Sequence, residues 1–174
     1  ISNLTPAMVA QLTSAEVAKL SKSQIQALST AQLLAIPLNN FSSLTSTQIP
    51  YLTYYQIASL PSSYITNLSQ EQIAAMSASQ LNALTTAQMA ALTTDQLVAM
   101  ETADFAAINT ASIAALQTAQ VVALTTADII ALRTDQAQAL ITQQAFALTT
   151  AQLLALETRD FAAISTDSIA ALQT

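Results

Sequence analysis

Glycine, cysteine, histidine and tryptophan are all missing from the 174 residues. Each absence removes a class of function. Without glycine there is no phosphate-cradling loop and no EF-hand or glycine-rich calcium repeat, because these need backbone that glycine alone adopts cheaply. Without cysteine or histidine the usual zinc, iron–sulfur and haem ligation is excluded. Nucleophile–histidine pairs go with them. The sequence therefore implies no cofactor and no metal. With no disulfide possible, cysteine usage leaves the compartment unread.

Charge is scarce too. Only 8% of residues are charged, and four basic side chains (Lys19, Lys22, Arg133, Arg159) face ten acidic ones, for a net charge of −6. No basic face can be assembled to displace the counterions of a nucleic acid, so no such partner is expected. Long apolar runs are also lacking. Thr, Ser or Gln interrupts each one well short of the roughly 18–20 residues that span a bilayer.

What is present is a period. From Leu4 to Leu172 every eighth residue is Leu, Ile or Met, at 22 positions without exception. A second column lies five residues later, from Val9 to Ile169, and all 21 members are apolar, although Ala137 and Ala145 are small. From Ala75 onward the residue before each Leu-type position is Ala. The consensus octad reads L-T-T-A-Q-I-A-A.

Three structures could carry this period. In one continuous helix, eight residues advance 800°, so the stripe drifts by about 80° per octad and no face stays buried. A β-solenoid needs turn residues and alternation, yet Gly is absent and Ala and Gln dominate. The remaining solution is a short helix restarted in every octad. Thr or Ser after the Leu is a good N-cap, and Gln or Glu three residues later completes a capping box. That pattern occurs in phase ten times, as in TSAE at 13–16 and TTDQ at 93–96. The Leu and Ile columns then fall at N′ and N4, the hydrophobic-staple positions, and Pro6 at N1. Where the first position becomes Glu101, Asn109, Gln117, Arg133, Ile141 or Glu157, the cap is expected to move one residue along, to the second Thr of the octad. Asp104, Asp128 and Asp160 then face the helix dipole.

Helices this short do not persist alone in water. Capping adds about 1 kcal/mol each and a buried Leu roughly 1.5–3 kcal/mol, so packing must dominate. The expected fold is an all-α solenoid, a superhelix of one short helix per octad around a continuous Leu/Ile/Ala core. Residues 92–118 match 148–174 at 21 of 27 positions, an offset of 56 residues. A coil of three and a half octads would explain this offset as two coils. A segmental duplication without geometric meaning explains it as well and is the simpler reading.

Residues 1–67 are degenerate octads holding all four Pro and all four Tyr, and residues 68–174 are regular. No linker separates them, so one array over 1–174 is expected. The pattern runs to both ends without a capping repeat or signal peptide. It is expected to be a piece of a longer array or to stack on copies of itself.

Few side chains invite a chemical role. Tyr51, Tyr54, Tyr55 and Tyr64 are the candidate partner-binding residues, as an aromatic patch for a protein or glycan, although local packing accounts for them more simply. The Gln column (Gln24, Gln32, Gln48, Gln56, Gln72, Gln80, Gln88, Gln96) could form amide ladders between coils, although capping alone explains it. Asp104 and Asp160 form a weak calcium cage at best. Three N-x-S/T sequons begin at Asn3, Asn40 and Asn67. Acids spaced along a regular array share no pocket, so no enzyme is expected.

The octad LTTDQLVAM resembles the opening of TAL-effector repeats. The likeness is a capping device, and those repeats read DNA through a loop that is missing here. Runs such as ALTTAQMAALTTDQ (83–96) and ALTTAQLLALET (147–158) resemble tandem low-complexity repeats of very large bacterial exported proteins, described as adhesins or haem-utilisation proteins. That resemblance implies a secreted or surface-anchored structural segment and transfers no functional residue. The expectation is a rigid stalk, spacer or fibre at the cell surface. Its partners would be neighbouring repeats or copies of itself. A self-assembling filament subunit is the first alternative, and a binding module built on the Tyr-bearing third is the second.

Overall fold

The computed structural model describes residues 3–164. Within them the chain is an all-α solenoid: nineteen α-helices of four to six residues and one 3-10 turn, Ile49–Tyr51, with no strand. Helix succeeds helix at the octad spacing, from Pro6–Val9 to Thr158–Ala163.

Local chemistry explains each restart. Nine of the ten S/T-x-x-E/Q patterns form reciprocal capping boxes, for example Ser77 with Gln80 and Thr93 with Gln96. The tenth, Thr45 with Gln48, leads into the 3-10 turn and keeps one arm, Thr45 N–H to Gln48 Oε1 at 2.8 Å. Pro6 takes the first helical turn, and Pro37 and Pro61 stand at N-cap positions.

The expected shift of the cap does not occur. Glu101, Asn109, Gln117, Arg133, Ile141 and Glu157 are themselves the N-caps, with extended backbone, and the helix begins at the Thr next in the chain. The reason lies at the other end of the box. Gln120, Gln136 and Gln144 accept the N-cap N–H at 2.7, 2.7 and 2.9 Å. In these three octads one donor is satisfied whatever side chain the N-cap carries, while Asn109 caps with its own side chain, accepting the Ser112 N–H at 2.8 Å.

Helices also end without glycine. No described residue has positive φ. The chain passes from right-handed helix directly into extended backbone at the Leu-type position, as at Ile36 and Leu92. That exit leaves the last carbonyls of each helix without a left-handed cap to receive them.

Both apolar columns enter one buried cluster running from Val9 to Ile164, with Leu4, Leu12 and Leu153 partly buried and Phe161 exposed. The Ile-type column is the deeper: Ile49, Ile57, Ile65, Phe105 and even Ala137 and Ala145 have no exposed surface. Helices three octads apart pack on each other, such as Pro6–Val9 with Thr30–Ala35 and Thr134–Gln138 with Thr158–Ala163.

Candidate functional site

The element that recurs along the array is the third helical residue of each octad. Its Gln faces two ways. Oε1 accepts the N-cap N–H of its own helix, at 2.8 Å in Gln56, Gln80 and Gln88. Nε2 donates to two carbonyls of an earlier coil, one 28 and one 31 residues back. In Gln48, Gln56, Gln80, Gln88, Gln96, Gln120, Gln136, Gln144 and Gln152 the first distance is 2.7–2.9 Å. The second is 2.7–3.2 Å. The acceptors are the Leu-type and Ile-type residues, whose carbonyls close the earlier helix. The later coil therefore supplies the missing C-cap.

Only a primary amide holds an acceptor and a two-proton donor on one short stem. These amides are buried, and no buried side-chain nitrogen or oxygen among the described residues lacks a partner. The links span 28 and 31 residues, while the helices themselves pack three octads apart. The Gln column does more than cap, and its links run from amide to backbone, not from amide to amide.

Other residues at the same position keep only part of this function. Asn40 donates to the Leu12 carbonyl at 2.8 Å, Ser112 to Leu84 at 3.1 Å and Tyr64 to Ile36 at 2.9 Å, each 28 residues back. Asp cannot donate. Instead Asp128 accepts the hydroxyl of Thr102 at 3.0 Å and Asp160 that of Thr134 at 2.6 Å, each 26 residues back. Asp104 has Ala at the matching position, Ala78, and its carboxyl is held above the usual range by partial burial first and then by Glu101.

The four tyrosines separate into two pairs. Tyr64 meets Phe41 edge to face at 5.0 Å and caps carbonyls of Leu34 and Ile36, and Tyr51 packs half-buried against the core. Tyr54 and Tyr55 are exposed at the start of Tyr54–Ser59, with ring centroids 4.0 Å apart. Of the sequon residues, Asn40 is tied down by its bond to Leu12, Asn67 donates to Ser63 at 3.1 Å, and Asn3 is exposed. Asp104 and Asp160 occupy equivalent positions of separate octads and are not brought together in any group of acids among the described residues.

One surface feature has no sequence-level signal beyond composition. Val98, Val122, Ile130, Phe146 and Leu154 share one octad position and are exposed, Leu154 at 83%. Their helices adjoin: Thr94–Val98 packs on Thr118–Ala123, that on Thr142–Ala147, and Thr126–Ala131 on Thr150–Ala155. The result is two apolar stacks, Val98–Val122–Phe146 and Ile130–Leu154. No helix among the described residues is long and apolar enough to cross a membrane.

Residues 65–100 and 97–134 match the ALTTAQ repeat family. The two matches overlap at 97–100, cover the transition into the regular octads and reach as far as Thr134. The six letters of the family's description are read in this chain at residues 83–88, which end on Gln88: the residue before the Leu column, the Leu, the N-cap, the first two helical positions and the linking Gln. No curated protein matches the chain in sequence.

Proposed function

We propose that the chain is a structural repeat segment, a rigid stalk or spacer within a long extracellular bacterial protein. The observation that carries this reading is the recurring set of Gln-to-carbonyl links, which bind coil to earlier coil along most of the array. A solenoid clasped in this way transmits length and stiffness and asks nothing of loops or pockets. Cell-surface placement rests on the likeness to exported bacterial repeats. A non-enzymatic role accords with the absence of His and Cys and with acids already engaged in caps or ion pairs, as Glu16 and Asp135 are.

Small-angle scattering and sedimentation of the isolated chain test the reading. A monomer with a rod-like profile whose length grows in proportion as octads are added supports it. A compact, flexible or molten particle sinks it.

The two exposed stacks, Val98–Val122–Phe146 and Ile130–Leu154, favour a second reading, lateral association of copies into a fibre. Concentration-dependent polymerisation that vanishes on replacing Phe146 and Leu154 with Ser would favour the fibre over the free spacer. The exposed Tyr54–Tyr55 pair leaves a binding module as the third reading. Unchanged partner binding after Tyr54→Ser and Tyr55→Ser would remove it.

A further inference from the structure

We infer that the octad 101–108 is a built-in seam, the place where the solenoid opens first. The seam belongs to the fold alone, whether or not the array serves as a spacer.

Three independent features meet at this octad. Asp104 sits where Gln would donate to the carbonyls of Ile73 and Met76, and its side chain makes no hydrogen bond; no side-chain donor reaches Met76 among the described residues. The alternative available to short acids is also missing. Asp128 and Asp160 each recover a link from a Thr 26 residues earlier, but the residue 26 before Asp104 is Ala78. Finally, Thr102–Phe105 makes no extensive contact with Ala78–Asn82, although helices three octads apart pack on either side of this point, as Thr86–Ala91 on Ser62–Thr66 and Thr126–Ala131 on Thr102–Phe105. The 3-10 turn Ile49–Tyr51 also lacks close contact with Gln70–Ala74, but there Gln72 bonds the carbonyls of Ser42 and Leu44.

The octad is nevertheless tied to the coil after it. Gln136 reaches the carbonyls of Phe105 and Ile108, both at 2.7 Å, and Thr102 reaches Asp128. The missing link is therefore one-sided, between this octad and the coil before it. Fully clasped stretches lie on both sides, at Gln72 to Gln96 and at Gln136 to Gln152. In a one-dimensional stack each interface contributes separately, so a weak one sets where opening begins. Strain, heat or a protease acting on the array would divide it here.

Hydrogen exchange on the full chain, resolved to octads, tests the seam. Amides of 101–108 should exchange faster than those of 77–84 and 133–140. Asp104→Gln, which restores the amide, and separately Ala78→Thr, which supplies the absent hydroxyl, should each slow that exchange by roughly 5–30-fold, the effect of one or two restored bonds. Asp104→Ala, which removes the carboxylate but adds no link, should slow it clearly less than Asp104→Gln does. Equal protection in all three octads overturns the inference. So does slowing by Asp104→Ala as large as that by Asp104→Gln, or no slowing by either restoring variant.

Discussion

The amide nitrogen of Gln80 lies 2.7 Å from the carbonyl oxygen of Leu52, 28 residues earlier. Its oxygen meanwhile holds the backbone N–H of Ser77 at 2.8 Å. One side chain thus starts its own helix and finishes another a full coil away. Local capping and long-range stacking share one side chain, the first through Oε1 and the second through Nε2.

Gln80→Glu separates the two tasks. Glutamate keeps the capping oxygen but replaces the buried donor with a charge facing two carbonyls. At neutral pH the variant should lose roughly 3–5 kcal/mol, the scale for an uncompensated buried charge. Because burial raises that carboxyl's folded pKa, the loss should shrink as pH falls and the group protonates. Urea melts at pH 7 and pH 4 measure this. Equal loss at both would show that the buried charge is not what weakens the variant.

Ile141 is an N-cap without a side-chain acceptor, and 45% of its surface is exposed. Ile141→Thr should stabilise the chain by about 0.5–1 kcal/mol by satisfying a further N–H of the first turn. Thermal melting resolves the change. A neutral result would mean that the linking Gln144 already meets the requirement.

Asp104 and Glu16 should respond to pH with opposite sign. The Asp104 carboxyl is raised by burial and by Glu101, so the folded chain holds that proton more tightly than the unfolded one. Its contribution favours folding below the unfolded value of about 3.9 and is lost as pH rises through the folded one. Asp104→Asn should therefore gain on the parent between that window and neutrality. Glu16 is lowered, chiefly by the N–H of Thr13. Its contribution is present above the unfolded value and lost as pH falls through the folded one. Glu16→Gln should differ from the parent near neutral pH and converge with it in acid. Parallel stability curves from pH 3 to 7 decide both.

The exposed row predicts a contrast within one octad type. Leu154→Ser should change stability by no more than about 0.5 kcal/mol, because most of that side chain is in water. Leu132→Ala removes a buried member of the cluster and should lose roughly 2–5 kcal/mol. Chemical denaturation of the two variants tests the assignment of inside and outside.

Much of this was legible in the chain. Leu4, Leu12 and their successors mark the restart, Thr and Gln at fixed distance supply the caps, and the Ile column names the core. These are contacts within five residues, so a linear reading reaches them. The fate of the caps at Glu101 and Ile141 was not legible, because the requirement their side chains leave open is met, where it is met, by the residue three places on, as Gln144 does for Ile141. Nor was the division of the tyrosines, since Phe41 and the carbonyl of Ile36, which hold Tyr64, lie a coil away.

The order of residues by itself determined that the backbone must begin again every eight positions, and that two greasy ridges must face inward. It did not determine how far each restart turns the chain. That angle depends on which carbonyls the buried amides can reach, a contest among surfaces distant in sequence. Only the folded coil settled it, with helices stacked three octads apart, and with it which octad is left unclasped.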